Sequence, residues 1–223
     1  MPDYPSLSRT LSAAELRVLG TLIEKSLTTP EQYPLSLNAT KVGCNQKTSR
    51  EPVVNFDERT AGMALRDLID LKLAKEVFPP DRGAVKYEHR LGACLDLRAP
   101  AVTVLATLML RGAQTTGELR QNGQRLHAFE TLGHLEDVLD RLAERGLVLK
   151  LERAPGQREE RYVHLLGEKE AALKQAAATS GREFIERSPV ERTSNADISV
   201  LHAEIAELKQ RLETLEARFE AWQ

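Results

Sequence analysis

Apolar residues recur at spacings of three and four along most of the chain, and each such run predicts a helix with one buried face. The first begins at Ser12, where Glu15 three residues on makes the pairing of a capping box, and carries Leu16, Leu19, Leu22 and Ile23. A short second helix is expected over 35–43, and a third over 58–72, where Leu65, Leu68, Ile69 and Leu71 fall at helical spacing. The period then changes. LAKEVF, a turn at PPDRGA and a return as VKYEHRL alternate as the two arms of a hairpin do.

The same succession occurs twice. LSAAELRVLGTL (11–22) matches LRAPAVTVLATL (97–108) at an offset of 86, and Thr28-Thr29 matches Thr115-Thr116 at 87. ALRDLIDLKLA (64–74) then matches VLDRLAERGLV (138–148) at 74, and KYEHRL (86–91) matches RYVHLL (161–166) at 75. In the second copy a helix is expected over 116–125, followed by one with Leu135, Val138, Leu139 and Leu142, and by LVLKLE, RAPGQRE and ERYVHLL as a second hairpin. Three helices and a terminal hairpin predict a winged helix-turn-helix, a module whose later helix enters the DNA major groove. The fall in offset from 87 to 74 makes the first copy longer by 13 residues between its second and third helices. That length is assigned to much of EQYP (31–34) and NQKTSREPVVNF (45–56).

After Leu166 the apolar face stops, and residues 168–196 read as a polar, alanine-containing linker. From Ile198 a heptad seam appears: Ile198, Leu201, Ile205, Leu208, Leu212, Leu215, Phe219 and Trp222. Such a seam predicts a left-handed coiled coil. Opposite charges at g and e′, Glu204 with Lys209 and Arg211 with Glu216, favour a parallel homodimer over a helix folded back on its own domain. The fold class expected is therefore mainly α with small β hairpins (α+β): tandem winged helix-turn-helix repeats followed by a coiled-coil helix. The domains are 1–92 with the inserted loop 45–56, 93–167, the linker 168–196 and the dimerisation helix 197–223.

Composition narrows the function. Of the 223 residues, 41% are hydrophobic and 29% charged, with a net charge of −2 and a pI near 6.3, so any basic footprint has to be local. Cys44 and Cys94 form no C-x-x-C pair, which argues against a disulfide framework or zinc site and for a reducing compartment. The first residues lack the pattern of a signal peptide, and no apolar run is long enough to span a bilayer, so a cytoplasmic protein without membrane partners is expected. Gly-rich phosphate loops and paired-histidine metal spacings are absent, so no cofactor or metal is expected. Nor is an enzyme. Cys44 has no histidine in a neighbouring segment and reads as a small buried residue ending the second helix, while His89 and His164 hold equivalent strand positions.

The remaining candidates point to double-stranded DNA. Lys41, Lys47, Arg50, Arg59 and Arg66 surround the second and third helices of copy one, and Arg82 and Lys86 lie on its hairpin. Cations of this kind release counterions from phosphates, and the amides of Asn45 and Gln46 can read adenine, with Thr48 and Ser49 between them and Arg50. Copy two opposes DNA, since its third helix carries Glu136, Asp137, Asp140 and Glu144 against Arg141 and Arg145. The alternative is a scaffold that docks a protein partner on region 30–56, with Arg50 pairing a carboxylate and Tyr33 as an aromatic anchor. The same loop also reads as a solvated connection pinned by Val53, Val54 and Phe56.

TTPEQYPLSLNA (28–39), CNQKTSREPV (44–53), ELRVLG (15–20) and LRGAQTTGELR (110–120) together resemble the YceH family of bacterial proteins over residues 11–166. The resemblance implies a tandem winged-helix fold and no defined activity. It makes Pro30, Gln32, Tyr33, Pro34, Asn38, Cys44, Asn45, Gln46 and Arg50 the distinctive positions. The heptad segment lies outside it and is expected to be particular to this chain.

Overall fold

A computed structural model describes residues 7–80, 83–153 and 159–169, with Leu173. The heptad segment, most of the linker and Arg82 lie outside the described residues. Within them the chain is mixed α and β, in a winged-helix-like arrangement that occurs twice. The first copy holds α1 (Ala13–Thr28), β1 (Leu35–Ser36), α2 (Leu37–Cys44), α3 (Glu58–Asp70) and the hairpin β2 (Ala74–Val77) and β3 (Lys86–His89). A short α4 (Leu91–Leu95) leads to the second copy: α5 (Ala99–Arg111), α6 (Thr116–Gly123), α7 (Leu132–Glu144), β4 (Val148–Leu151) and β5 (Arg161–His164).

The first helix of each copy forms the centre. In α5 every residue from Val102 to Leu110 is buried, and in α1 every residue from Arg17 to Ile23 is buried. Helices apolar or enclosed all round must be covered on all sides, and these two cover each other. Gly20 permits the approach, because a Cβ there would lie 3.0 Å from Leu110 Cγ and 3.3 Å from Met109 Cβ. The expected capping box at Ser12 is present, and Glu15 also takes a bidentate ion pair from Arg9. Burial pushes the Glu15 carboxyl upward, but those hydrogen bonds outweigh it and hold the group below its ordinary value.

Around this pair the copies repeat down to single backbone bonds. The third helix of each ends in a left-handed residue, Lys72 (φ 61°) and Gly146 (φ 66°). The next N–H reaches back five residues each time, Leu73 to Leu68 and Leu147 to Leu142. Leu35 pairs with Tyr87 in the first copy, and Gln114 with Tyr162 in the second. The second helices lie close to their expected ranges, and that pairing corrects only the match of the threonine pair ahead of them. Ser36, not Thr28, is the equivalent of Thr115, since both are N-caps accepting from the third residue on. Ala13 and Ala99 are 86 apart, Leu37 and Thr116 are 79 apart, and Glu58 and Leu132 are 74 apart. The extra length of copy one is thus divided, seven residues before α2 and five after it. Thr28 and Thr29 instead close the end of α1, their hydroxyls donating to the carbonyls of Glu24 and Lys25.

Gly20→Val places two methyl groups against Leu110 and should destabilise the fold by about 1–3 kcal/mol through overpacking. Thermal unfolding should then start several degrees lower. An unchanged midpoint would mean that α1 and α5 do not meet at Gly20.

Candidate functional site

The longer first copy spends its extra polar residues inward. Arg50 is buried, and every nitrogen of its guanidinium is engaged. Nη1 and Nη2 donate to Glu24 Oε1 and Oε2 at 3.1 and 2.5 Å, and Nε and Nη2 donate to the Gly43 carbonyl at 3.2 and 3.0 Å. Nη1 also reaches the Ser49 carbonyl, and Nη2 the Gln46 side-chain oxygen. Asn45 clamps Phe56 like a strand partner, donating to its carbonyl and accepting its N–H, both at 2.8 Å. Arg17, also buried, donates to the carbonyls of Cys44 (3.2 Å) and Pro52 (2.6 Å). Burial lowers the Arg17 pKa, and neighbouring Arg50 lowers it further.

The outer side of this segment joins the second copy. Arg111 on α5 donates to Ser49 Oγ at 2.7 Å, and the Glu51 N–H donates to the Leu110 carbonyl at 2.8 Å. Residues 45–52 are therefore mortar between the two modules. Asn45, Gln46, Ser49 and Arg50, expected at a DNA surface, are committed to this joint. Lys47 and Thr48 remain exposed on it.

The other distinctive positions are also structural in their contacts. Pro30 and Gln32 bound a single 3-10 turn, and the Tyr33–Pro34 and Glu51–Pro52 peptides are cis. Tyr33 Oη accepts the His89 N–H at 2.6 Å, and burial raises the phenol well above its usual range. Cys44 ends α2 fully buried, its thiol 3.5 Å from Thr21 Oγ1. Burial raises its pKa, the opposite of what an activated thiolate requires. Asn38 lies exposed in the first turn of α2. Among the described residues no cluster of His, Cys, Asp and Glu could hold a metal, and no helix is long and apolar enough to cross a membrane.

What faces outward is α3. Arg59, Met63 and Arg66 are exposed at one-turn intervals, and neither arginine has a carboxylate within salt-bridge distance among the described residues. Together with Leu37, Ile69, Tyr87 and the carboxylate-bearing Glu76 they line a groove of about 420 Å³ between α3 and the hairpin. Lys86 is on the adjoining strand, half-buried, and Lys41 lies 3.9 Å from Glu58. Helix α7, the counterpart of α3, exposes Glu136, Asp137, Asp140 and Glu144. Arg145 is not available there, since it donates to the carbonyls of Leu95 and Asp96. The joint between modules was the part that local pattern could not reveal: Glu24, Arg17 and Arg111 stand far in sequence from the loop they hold.

A family model described as "Protein of unknown function, DUF480" matches residues 11–157. A UPF0502 protein of Xanthomonas axonopodis pv. citri is 45% identical over 216 residues, covering 95% of both chains. A UPF0502 protein of Pseudomonas paraeruginosa is 46% identical over 199 residues, covering 89% of both. The first alignment leaves about 5% of this chain unmatched, too little to omit residues 197–223. At least part of residues 197–223 is therefore aligned in that relative.

Arg50→Ala leaves the part-buried Glu24 without its partner and strips donors from the Gly43 and Ser49 carbonyls. It should cost about 3–5 kcal/mol, read as a lowered denaturant midpoint. A midpoint within error of the parent would remove Arg50 from the joint. His164 gives a second expectation. It is buried, and burial depresses its pKa from 6.5 to about 4. The unfolded chain then binds a proton that the folded chain refuses, so stability is full above pH 6.5 and falls toward pH 4. The loss amounts to about 3 kcal/mol. His164→Leu should flatten the decline in denaturant midpoint between pH 7 and pH 5, and an equal decline in both proteins would refute the assignment.

Proposed function

Since the chain belongs to the DUF480 family, a family of unknown function, its own geometry has to carry the assignment, and we propose that it binds duplex DNA through the outer face of α3. The observation that carries this is the row Arg59, Met63 and Arg66 on one exposed helical face beside the β2–β3 hairpin. A helix fits the B-DNA major groove, and unpaired arginines on its outer face can meet phosphates or guanine edges. Lys86 on the adjoining strand β3 adds a further cation beside the hairpin. The acidic face of α7 supports a division of labour in which the first module reads and the second braces it. Pairing through the heptad segment at residues 197–223 would present two copies of α3, raising affinity by effective concentration.

The groove beneath Arg59 and Arg66 favours one other reading. Its floor of Leu37, Ile69 and Tyr87, with Met63 55% exposed, also suits an apolar partner segment. Of region 30–56 only Leu37 lines that groove, so a partner would dock on α3 and not on the 45–52 segment.

Fluorescence anisotropy of the full chain on mixed-sequence duplex, titrated over salt, tests the proposal. The parent should bind at low salt with an affinity that falls steeply as salt rises. Arg59→Ala with Arg66→Ala should weaken binding tenfold or more and reduce the salt slope by about two, one for each phosphate that the arginines no longer neutralise. No binding at the lowest salt, or equal binding by the double variant, would rule out α3 as a DNA-reading helix. A protein ligand that binds the parent at any salt and fails to bind Met63→Asp would favour the second reading.

A further inference from the structure

A cavity of about 200 Å³ opens at the joint of the two modules, where α1 and α5 end and residues 46–49 cross between them. Its wall carries three cations, Lys25, Arg111 and Arg125, and one carboxylate, Glu24. Both oxygens of Glu24 are already taken by Arg50, and Lys25 Nζ stands off at 4.0 Å. The helix carbonyls that reach this region are also satisfied. The Lys25 carbonyl accepts the N–H and hydroxyl of Thr29, and the Leu110 carbonyl accepts the Glu51 N–H. The cations are thus not needed to cap the helix ends. Arg111 is half-buried and donates one bond, to Ser49, and burial and nearby Arg50 both disfavour its charge, opposed by Glu24. Two further polar groups face the space: the Gln46 amide, whose oxygen alone is committed to Arg50, and the Thr48 hydroxyl.

Three cations set against one carboxylate that Arg50 already engages leave a surplus of positive charge, which favours an anion in the cleft. We propose that this cleft binds a small phosphate oxyanion, free or as the head group of a small metabolite, through Lys25, Arg111 and Arg125, with Gln46 and Thr48 as neutral donors. The size agrees with a small ligand, since clefts for drug-sized molecules run from about 300 to 1,000 Å³. No residue of α3 lines the cleft, so the site is separate from the proposed DNA face. A bound anion would tie Lys25 of the first module to Arg111 and Arg125 of the second, strengthening the joint.

The test is thermal unfolding of the full chain in inorganic phosphate and, separately, in ribose 5-phosphate, against sodium chloride of matched ionic strength. The midpoint should rise saturably, by about 3–6 °C at ten times the dissociation constant. The rise should vanish in Lys25→Gln with Arg125→Gln, which breaks none of the hydrogen bonds holding Arg50 or Ser49. A response to ribose 5-phosphate at lower concentration than to phosphate would identify a metabolite head group as the ligand, and equal responses the free ion. A rise no larger than with chloride, or one retained in the double variant, would overturn the proposal. Neither result bears on DNA binding, because no nucleic acid is present in the measurement.

Discussion

The structure depends on one buried guanidinium. The segment between α2 and α3 starts from buried backbone carbonyls, those of Gly43 and Cys44, and a buried carbonyl must find a donor or cost free energy. Arg50 meets that constraint by bonding the carbonyls of Gly43 and Ser49 while its charge is balanced by Glu24 of α1. Arg17 does the same for Cys44 and Pro52. Two arginines thus convert an irregular segment into a rigid tie between α1, α2 and α5. Lysine could not take either place, because its ammonium is a single point and lacks the planar fork that reaches several acceptors at once.

In the second module a buried arginine serves a different connection. There the turn from α5 to α6 is short, and Arg161 from β5 bonds the Ala113 carbonyl and pairs with Glu118, the capping partner of α6. The extra residues that follow α2 in the first module enlarge the joint between the copies, and two exposed arginines, Arg59 and Arg66, are left on α3.

Much of this frame could be read from residue order. Periodicity located α1, α3, α5 and α7, and the capping box at Ser12 and the alternation of the hairpins hold as expected. Cys44 was identifiable as a buried helix end because a small apolar residue there follows an amphipathic run. The second helices lie close to their expected places, but residue order matches the cap Thr115 to Thr28 instead of Ser36 for a local reason. Thr115 announces its cap with Glu118, whereas Ser36 has Ala39 in that position and offers no reciprocal acceptor. The threonine pair at 28–29 then supplied a false match. The role of Arg50 could not be read at all, since a row of polar residues looks the same whether its partners are water or carbonyls and a carboxylate brought from as far as 26 residues away in sequence.

This arrangement separates the parts of the chain that must hold still from those free to meet a partner. A cation whose bonds are internal cannot be lent to a ligand without breaking the fold, so Arg17 and Arg50 are excluded from recognition by the work they already do. Lys25, Arg111 and Arg125 on the joint share the single carboxylate of Glu24, already engaged by Arg50, while Arg59 and Arg66 on α3 make no ion pair with a described carboxylate. The two groups act on different quantities. An anion bound among the first set adds to the contacts between modules and so raises the stability of the joint. A ligand on α3 meets a helix whose position that joint already fixes, so its ordering cost is small and its binding energy can go into recognition.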